Sequence, residues 1–175
     1  ETLAEKMAKD PENLEKYMKQ FVEIQLEIHD KTAPLLNKMK DKMSVRINSL
    51  KAVNATTRYE LSTRLEGMPK HKKVLHGDYN PTNVVIDKDG KYYILDWSHA
   101  TQGNASADAA TTYLLLTLQD PKMAEMYMNM FCDMSDTAKQ YVQRWLPIVA
   151  ASRLTKAIPE EKDLLEKWLD VVEYE

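Results

Sequence analysis

The chain has 175 residues, 43% of them hydrophobic and 29% charged, with a net charge of −3, which gives room for one domain, residues 1–175, with a sizeable core. Lys and Arg are scattered among acids, with no basic stripe and no aromatic platforms between them, which argues against nucleic acid as a partner. A single cysteine, Cys132, excludes an intrachain disulfide framework and denies zinc its sulfur ligands, and no run of 18 apolar residues is present to span a membrane. A soluble, cytoplasmic protein with no membrane partner is expected. The chain starts at Glu1, without Met, and looks trimmed upstream.

Residues 1–9 are mixed polar and apolar and carry little pattern. Asp10 is placed to cap a helix with Pro11 at its first position and Glu12 in its first turn. Leu14, Tyr17, Met18, Phe21, Ile24 and Ile28 then recur at helical spacing down to about His29, a helix-end histidine expected to cap or pack. From Pro34 a second stripe is formed by Leu35, Met39, Met43, Ile47 and Leu50. Thr56 or Thr57 opens a further helix that ends near Leu65, with Gly67 and Pro69 as stop signals. Lys70 to Lys73, KHKK, is the most basic run, read as a solvated approach to the loop at His76, with attraction of nucleotide phosphates as its functional alternative.

The next stretch, VLHGDYNPTNVVIDKDGKYYILDWS from Val74 to Ser98, is the densest in chemistry. Val84, Val85 and Ile86, then Tyr92 to Leu95, flank the polar turn Asp87-Lys88-Asp89-Gly90, in which Gly90 can supply φ > 0, so a β-hairpin is predicted. The loop from His76 to Asn83, stiffened by Pro81, feeds its first strand, and Asp96 ends its second. Asp78, Asn83 and Asp96 can therefore converge at one end of a rigid ribbon. A carboxylate, a carboxamide and a second carboxylate meet the needs of phosphoryl transfer from ATP: Asp78 as the base that accepts the hydroxyl proton, Asn83 and Asp96 as oxygen ligands for Mg²⁺. His76 suits a loop brace better than a reactant, and Gly77 a place where the chain packs closely on itself.

Beyond the hairpin, Ser106 starts an almost wholly apolar helix through Ala109, Ala110, Tyr113 and Leu114 to Leu118. Asp108, in its first turn, is an acid near buried surface that needs a partner; the catalytic-loop backbone or His76 is the natural one, making Asp108 a supporting group. Asp120-Pro121 starts the next helix, whose methionines from Met123 to Met134 suit core, with an adaptable binding face as the alternative. In the segment from Ser135, Pro147 should kink or interrupt the helix. Packing is the default for Trp145 and a surface ion pair for Arg153, with reach to an acceptor pocket as the alternative. The last helix opens at Pro159, with Leu164, Leu165, Trp168, Leu169 and Val172 on its apolar face. The sum is about six or seven helices and one hairpin, a mostly α (α+β) chain.

H-G-D-x-x-x-x-N over His76 to Asn83, followed by a hydrophobic strand and L-D-W at Leu95 to Trp97, resembles the aminoglycoside phosphotransferase and choline kinase family, small-molecule kinases of protein-kinase-like fold. The resemblance implies that Asp78 is the catalytic base, that Asn83 and Asp96 bind the metal, and that Gly103 to Asp108 is the family's G-x-x-x-x-D, whose aspartate braces the catalytic loop. It also implies that the region after the first large helix contributes to the acceptor pocket. Ser98 stands where many members carry an acid.

The likeness covers the family's helical C-terminal lobe. The four glycines, Gly67, Gly77, Gly90 and Gly103, form no glycine-rich phosphate loop, so the N-terminal nucleotide lobe, which would pack on this one, is read as absent from the chain. The implied activity is ATP- and Mg²⁺-dependent transfer of the γ-phosphoryl group to a hydroxyl of an aminoglycoside, choline or similar metabolite, with the isolated chain inactive. Two other classes stand beside it: a non-catalytic binding module that keeps the lobe fold, and a metal-dependent phosphoesterase using the same three oxygen ligands. Trp97, Tyr79 and Trp145 are candidates to frame a quaternary ammonium.

Overall fold

Two short antiparallel ribbons organise the helices around them. The chain is represented by a computed structural model that describes residues 1–170; Val172 of the expected last apolar face lies outside the described residues. Strand β1 (Lys73–Leu75) pairs with β4 (Thr101–Gly103), Leu75 opposite Thr101, and inside this stem β2 (Val84–Ile86) pairs with β3 (Tyr92–Ile94), Val84 opposite Ile94. The second ribbon is the predicted hairpin, and Gly90 has φ +80° as its turn requires. The stem is an addition to the sequence reading: three-residue strands that pair across a long excursion leave no local turn signature.

Helices surround the ribbons: α1 (Leu3–Lys9), α2 (Leu14–His29), α3 (Met39–Ser49), α4 (Ala55–Gly67), α5 (Ala105–Gln119), α6 (Pro121–Ser135), α7 (Lys139–Gln143), α8 (Leu146–Leu154) and α9 (Lys162–Lys167). The mostly α architecture with one hairpin holds, and the described residues contain more helices than the sequence suggests. One addition is α1, in a stretch with little pattern. Thr2 caps it: its hydroxyl accepts from Glu5 N at 3.1 Å while Glu5 accepts in return from Thr2 N at 2.8 Å, a reciprocal closure of two otherwise orphaned donors. Leu3 and Met7 are buried by it, each side chain contributing roughly 1.5–3 kcal/mol.

Four helix starts need correction. Asp10 makes no cap bond; its carboxylate accepts from Asn13 and Tyr17, Pro11–Asn13 form a 3₁₀ turn, and α2 begins at Leu14. The second stripe starts at Met39, since residues 34–38 are not helical and Leu35 is fully exposed. Their carbonyls are claimed from elsewhere: Gln102 donates its side-chain amide to Pro34 O and Leu36 O and its main-chain N–H to Asn37 O. The caps of α4 and α5 are Asn54 and Asn104, whose side chains accept from Thr57 N and Ser106 N; Asn54 takes the place expected for Thr56 or Thr57, and α5 starts at Ala105, one residue before Ser106. Pro147 acts as expected, sitting in the first turn of α8 where its missing N–H costs nothing.

The core is built on α5, packed between α6 and α8, with α2 across α6. Phe21 and Tyr79 stack at 4.3 Å, and Tyr127 and Phe131 extend the aromatic layer. Among the described residues no helix is long and apolar enough to cross a membrane.

Candidate active site

The loop from His76 to Asn83 is fixed from behind by Asp108. This carboxylate is 2% exposed, and α5 presents it so that Oδ1 accepts from Gly77 N at 2.9 Å while Oδ2 meets His29 Nε2 at 2.8 Å, with Gln25 Nε2 at 3.3 Å and His76 N at 3.4 Å. Burial pushes this carboxyl up, but the His29 bond and charge, with the Gly77 amide, hold it below the ordinary carboxylate value. The predicted bracing by loop backbone is therefore present. His29 and Gln25 complete it. The sequence presents His29 as a helix-end residue that caps or packs; the signal for its role is that a buried acid demands a cation or several donors, and few histidines are available. Thr112 continues the network, donating to Tyr79 O at 2.8 Å.

His76 braces the loop as expected. Its Nε2 lies 2.8 Å from Leu95 O, at the end of β3, and its Nδ1 accepts from Asp78 N at 3.1 Å. That pair of bonds assigns the proton to Nε2 and ties the loop to the hairpin's second strand. Gly77 has φ +84°, and a Cβ there would lie 2.5 Å from His99 O, so close packing and left-handed backbone both require glycine.

Asn80 opens a 3₁₀ turn over Pro81–Asn83 by accepting from Thr82 N at 3.0 Å. The turn swings Asn83 back onto Asp78, where its Nδ2 donates to Asp78 O at 2.8 Å and to Asp78 Oδ2 at 3.2 Å. The same residue's carbonyl accepts from Leu95 N at 2.8 Å, which brings Asp96, the next residue, to the same end of the ribbon. Asp96 takes φ +56°, uncommon for a residue with a side chain. Its exposed carboxylate is steadied by the Ser98 hydroxyl at 2.7 Å, and that bond, with the nearby histidines, holds it below the ordinary carboxylate value. Ser98, in the position where an acid is common, is thus spent on Asp96. Trp97 tilts over His76 at 4.7 Å and donates its indole N–H to Ile94 O.

A cleft of about 60 Å³ opens beside Asp78. Met39, Lys42 and Arg46 of α3 line it, together with His99 and, at the end of α8, Arg153 and Lys156. Burial first, then the Lys42 and Lys156 charges, hold the His99 ring below its ordinary value. Arg153 makes the expected ion pair, bidentate to Glu161 at 2.8 and 2.7 Å, and also faces the cleft. The KHKK run lies elsewhere: Lys70, His71 and Lys72 border a second cavity, of about 240 Å³, with Gln102, Asn104 and Trp145. The three aromatics suggested as an ammonium cage do not assemble, because Tyr79 is fully buried in the core and Trp145 belongs to the second cavity.

Asp78 and Asn83 are in contact and Asp96 lies at the same end of the ribbon; carboxylate and carboxamide oxygens are the kind of donor that Mg²⁺ takes, beside the water and phosphate it keeps among its ligands. A two-metal phosphoesterase would ask for a denser cluster, and no group of three or more His, Cys, Asp or Glu that could hold a metal is found among the described residues.

Residues 3–142 match the phosphotransferase enzyme family. No curated protein matches the sequence. Among solved structures, the choline kinase LicA from Streptococcus pneumoniae superposes with a TM-score of 0.62 at 15% identity, over 90% of this chain and 64% of that one. LicA in complex with AMP gives 0.55 at 15% identity, over 93% and 58%. The chain thus spans about three fifths of the structures it resembles, and the fold shared with them is protein-kinase-like.

Proposed function

This chain belongs to the phosphotransferase enzyme family, the aminoglycoside phosphotransferase and choline kinase group, and on that premise we propose that it is the C-terminal, catalytic and acceptor-binding lobe of an ATP- and Mg²⁺-dependent small-molecule kinase of the cytoplasm. A nucleotide lobe elsewhere in the intact enzyme would pack on it, and the isolated chain would be inactive. The observation that carries this reading is Asp78: a half-buried carboxylate at the edge of a cleft, with its own N–H held by His76 and its side chain held by Asn83.

Asp78 orients the acceptor hydroxyl and takes its proton as the hydroxyl oxygen bonds to the γ-phosphorus. The bond from that phosphorus to the β–γ bridging oxygen breaks, and ADP leaves with the electron pair. Asn83 and Asp96 would hold Mg²⁺, which neutralises phosphate charge when bound. His76 and Asp108 keep the base in place, so the chain's contribution is positioning and charge, with no covalent intermediate. An adenine nucleotide as donor is supported by the relative solved with AMP.

In the full-length enzyme, Asp78→Ala and Asp96→Asn should each lower ADP production by about 10²–10⁴-fold with an unchanged melting temperature. Transfer retained by either variant overturns the assignment. Titrating the isolated chain with ATP and Mg²⁺ checks the lobe reading, since tight binding contradicts it.

A further inference from the structure

The cleft beside Asp78 gathers four cationic side chains on one wall. Lys42 and Arg46 reach it from α3, and Arg153 and Lys156 from the end of α8. Glu161 neutralises Arg153 and its charge also reaches Lys156, without an ion pair to it. Arg46 donates to the Ser152 hydroxyl at 2.9 Å, a neutral partner, and among the described residues no carboxylate is ion-paired with Lys42, Arg46 or Lys156. The acids of the cleft do not balance them. Asp108 is fully committed to His29, Gln25 and the loop amides, which leaves Asp78.

Lys42 and Arg46 are only half-exposed, and burial first, then Arg46 and Lys156, depress the Lys42 ammonium. Like charges gathered on a partly desolvated wall repel one another unless an anion sits among them. A cationic acceptor would meet that repulsion directly, and the aromatic faces that could offset it are absent from the cleft.

We propose that the acceptor is an anion: a small hydroxylated molecule carrying a carboxylate or a phosphate, seated with its negative group among Lys42, Arg46 and Lys156 and its hydroxyl toward Asp78. This rests on the phosphotransferase reading for the role of the hydroxyl, while the anion site itself does not depend on turnover.

The test is calorimetric titration of the full-length protein with glycerate, glycerol 3-phosphate, glycerol and choline, with and without ADP. The better of the two anions should bind at least about tenfold tighter than glycerol or choline, and which one it is separates a carboxylate from a phosphate. Lys42→Gln and Lys156→Gln should each weaken that anion by about tenfold, Lys42→Arg should retain it, and ADP should leave it bound. Choline or glycerol binding as tightly as the anions, or no effect of both Gln variants, overturns the proposal. Displacement of the anion by ADP also overturns it, because the cations would then serve the nucleotide. Anion binding that depends on Lys42 and Lys156 in a protein that never consumes ATP sustains the anion site and removes the kinase reading, whereas turnover with choline and not with the anions does the reverse.

Discussion

Asp108 and Asp96 frame the same loop and hairpin from opposite sides, and their surroundings differ in every respect. Asp108 is buried, and both of its oxygens are claimed by His29, Gln25 and loop amides. Asp96 is exposed, sits on left-handed backbone and takes its bonds from Ser98, two residues on. An acid whose lone pairs are all used inside the fold can only hold structure, and one left open to solvent remains available to a ligand. The same residue type is thus sorted into scaffold and chemistry by the number of donors around it.

Breaking the scaffold side should cost most. Asp108→Ala removes one partner of a buried pair and leaves Gly77 N and His29 without their acceptor, so chemical denaturation should show a loss of about 3–5 kcal/mol. Asp96→Asn, which keeps a residue type that tolerates left-handed backbone, should leave the denaturation midpoint unchanged, and a loss equal to that of Asp108→Ala would erase the contrast.

Gly77→Ala comes next. It forces a side chain onto φ +84° and against His99 O, with an expected destabilisation of about 1–3 kcal/mol.

Acid sharpens the comparison. The folded-state value of Asp108 lies below its ordinary 3.8, so its contribution is complete above pH 3.8 and is lost as pH falls through the folded value. Stability tracked by circular dichroism should therefore decline below about pH 4 in the native protein, with a smaller decline in Asp108→Asn. The smallest effect belongs to Leu35→Ser, at a fully exposed position, which should change stability by less than about 0.5 kcal/mol.

The hairpin and its loop are legible in the sequence because their signals are local: β-branched runs, a turn ending in Gly90, and a motif of fixed spacing. The role of Asp108 is legible in outline, since a carboxylate in an apolar helix must find donors. His29 and Gln25 are not, because their partner is distant in sequence and only the packing of α2 across α6 brings them near it. Leu35 misleads because the apolar period runs on through residues whose carbonyls are claimed by Gln102, a competition that no pattern within the segment records. The Thr2 and Glu5 closure has a local signal, T-x-x-E at the start of the chain, which the mixed pattern of residues 1–9 conceals. The ring of cations in the cleft is contributed by α3 and α8, which lie far apart along the sequence, so no window of residues could have displayed it.

The short stem between β1 and β4 closes immediately before His76 and reopens immediately after Ala100. Everything from the loop through the Asp96 turn is one excursion, clasped at this stem and fastened again where Asp108 takes Gly77 N, where Thr112 reaches Tyr79 O and where Glu1 O accepts from Ile86 N. Amide hydrogens of the stem and its excursion should exchange with solvent as one cooperative block, so Asp78, Asn83 and Asp96 would be gained or lost together and never by halves.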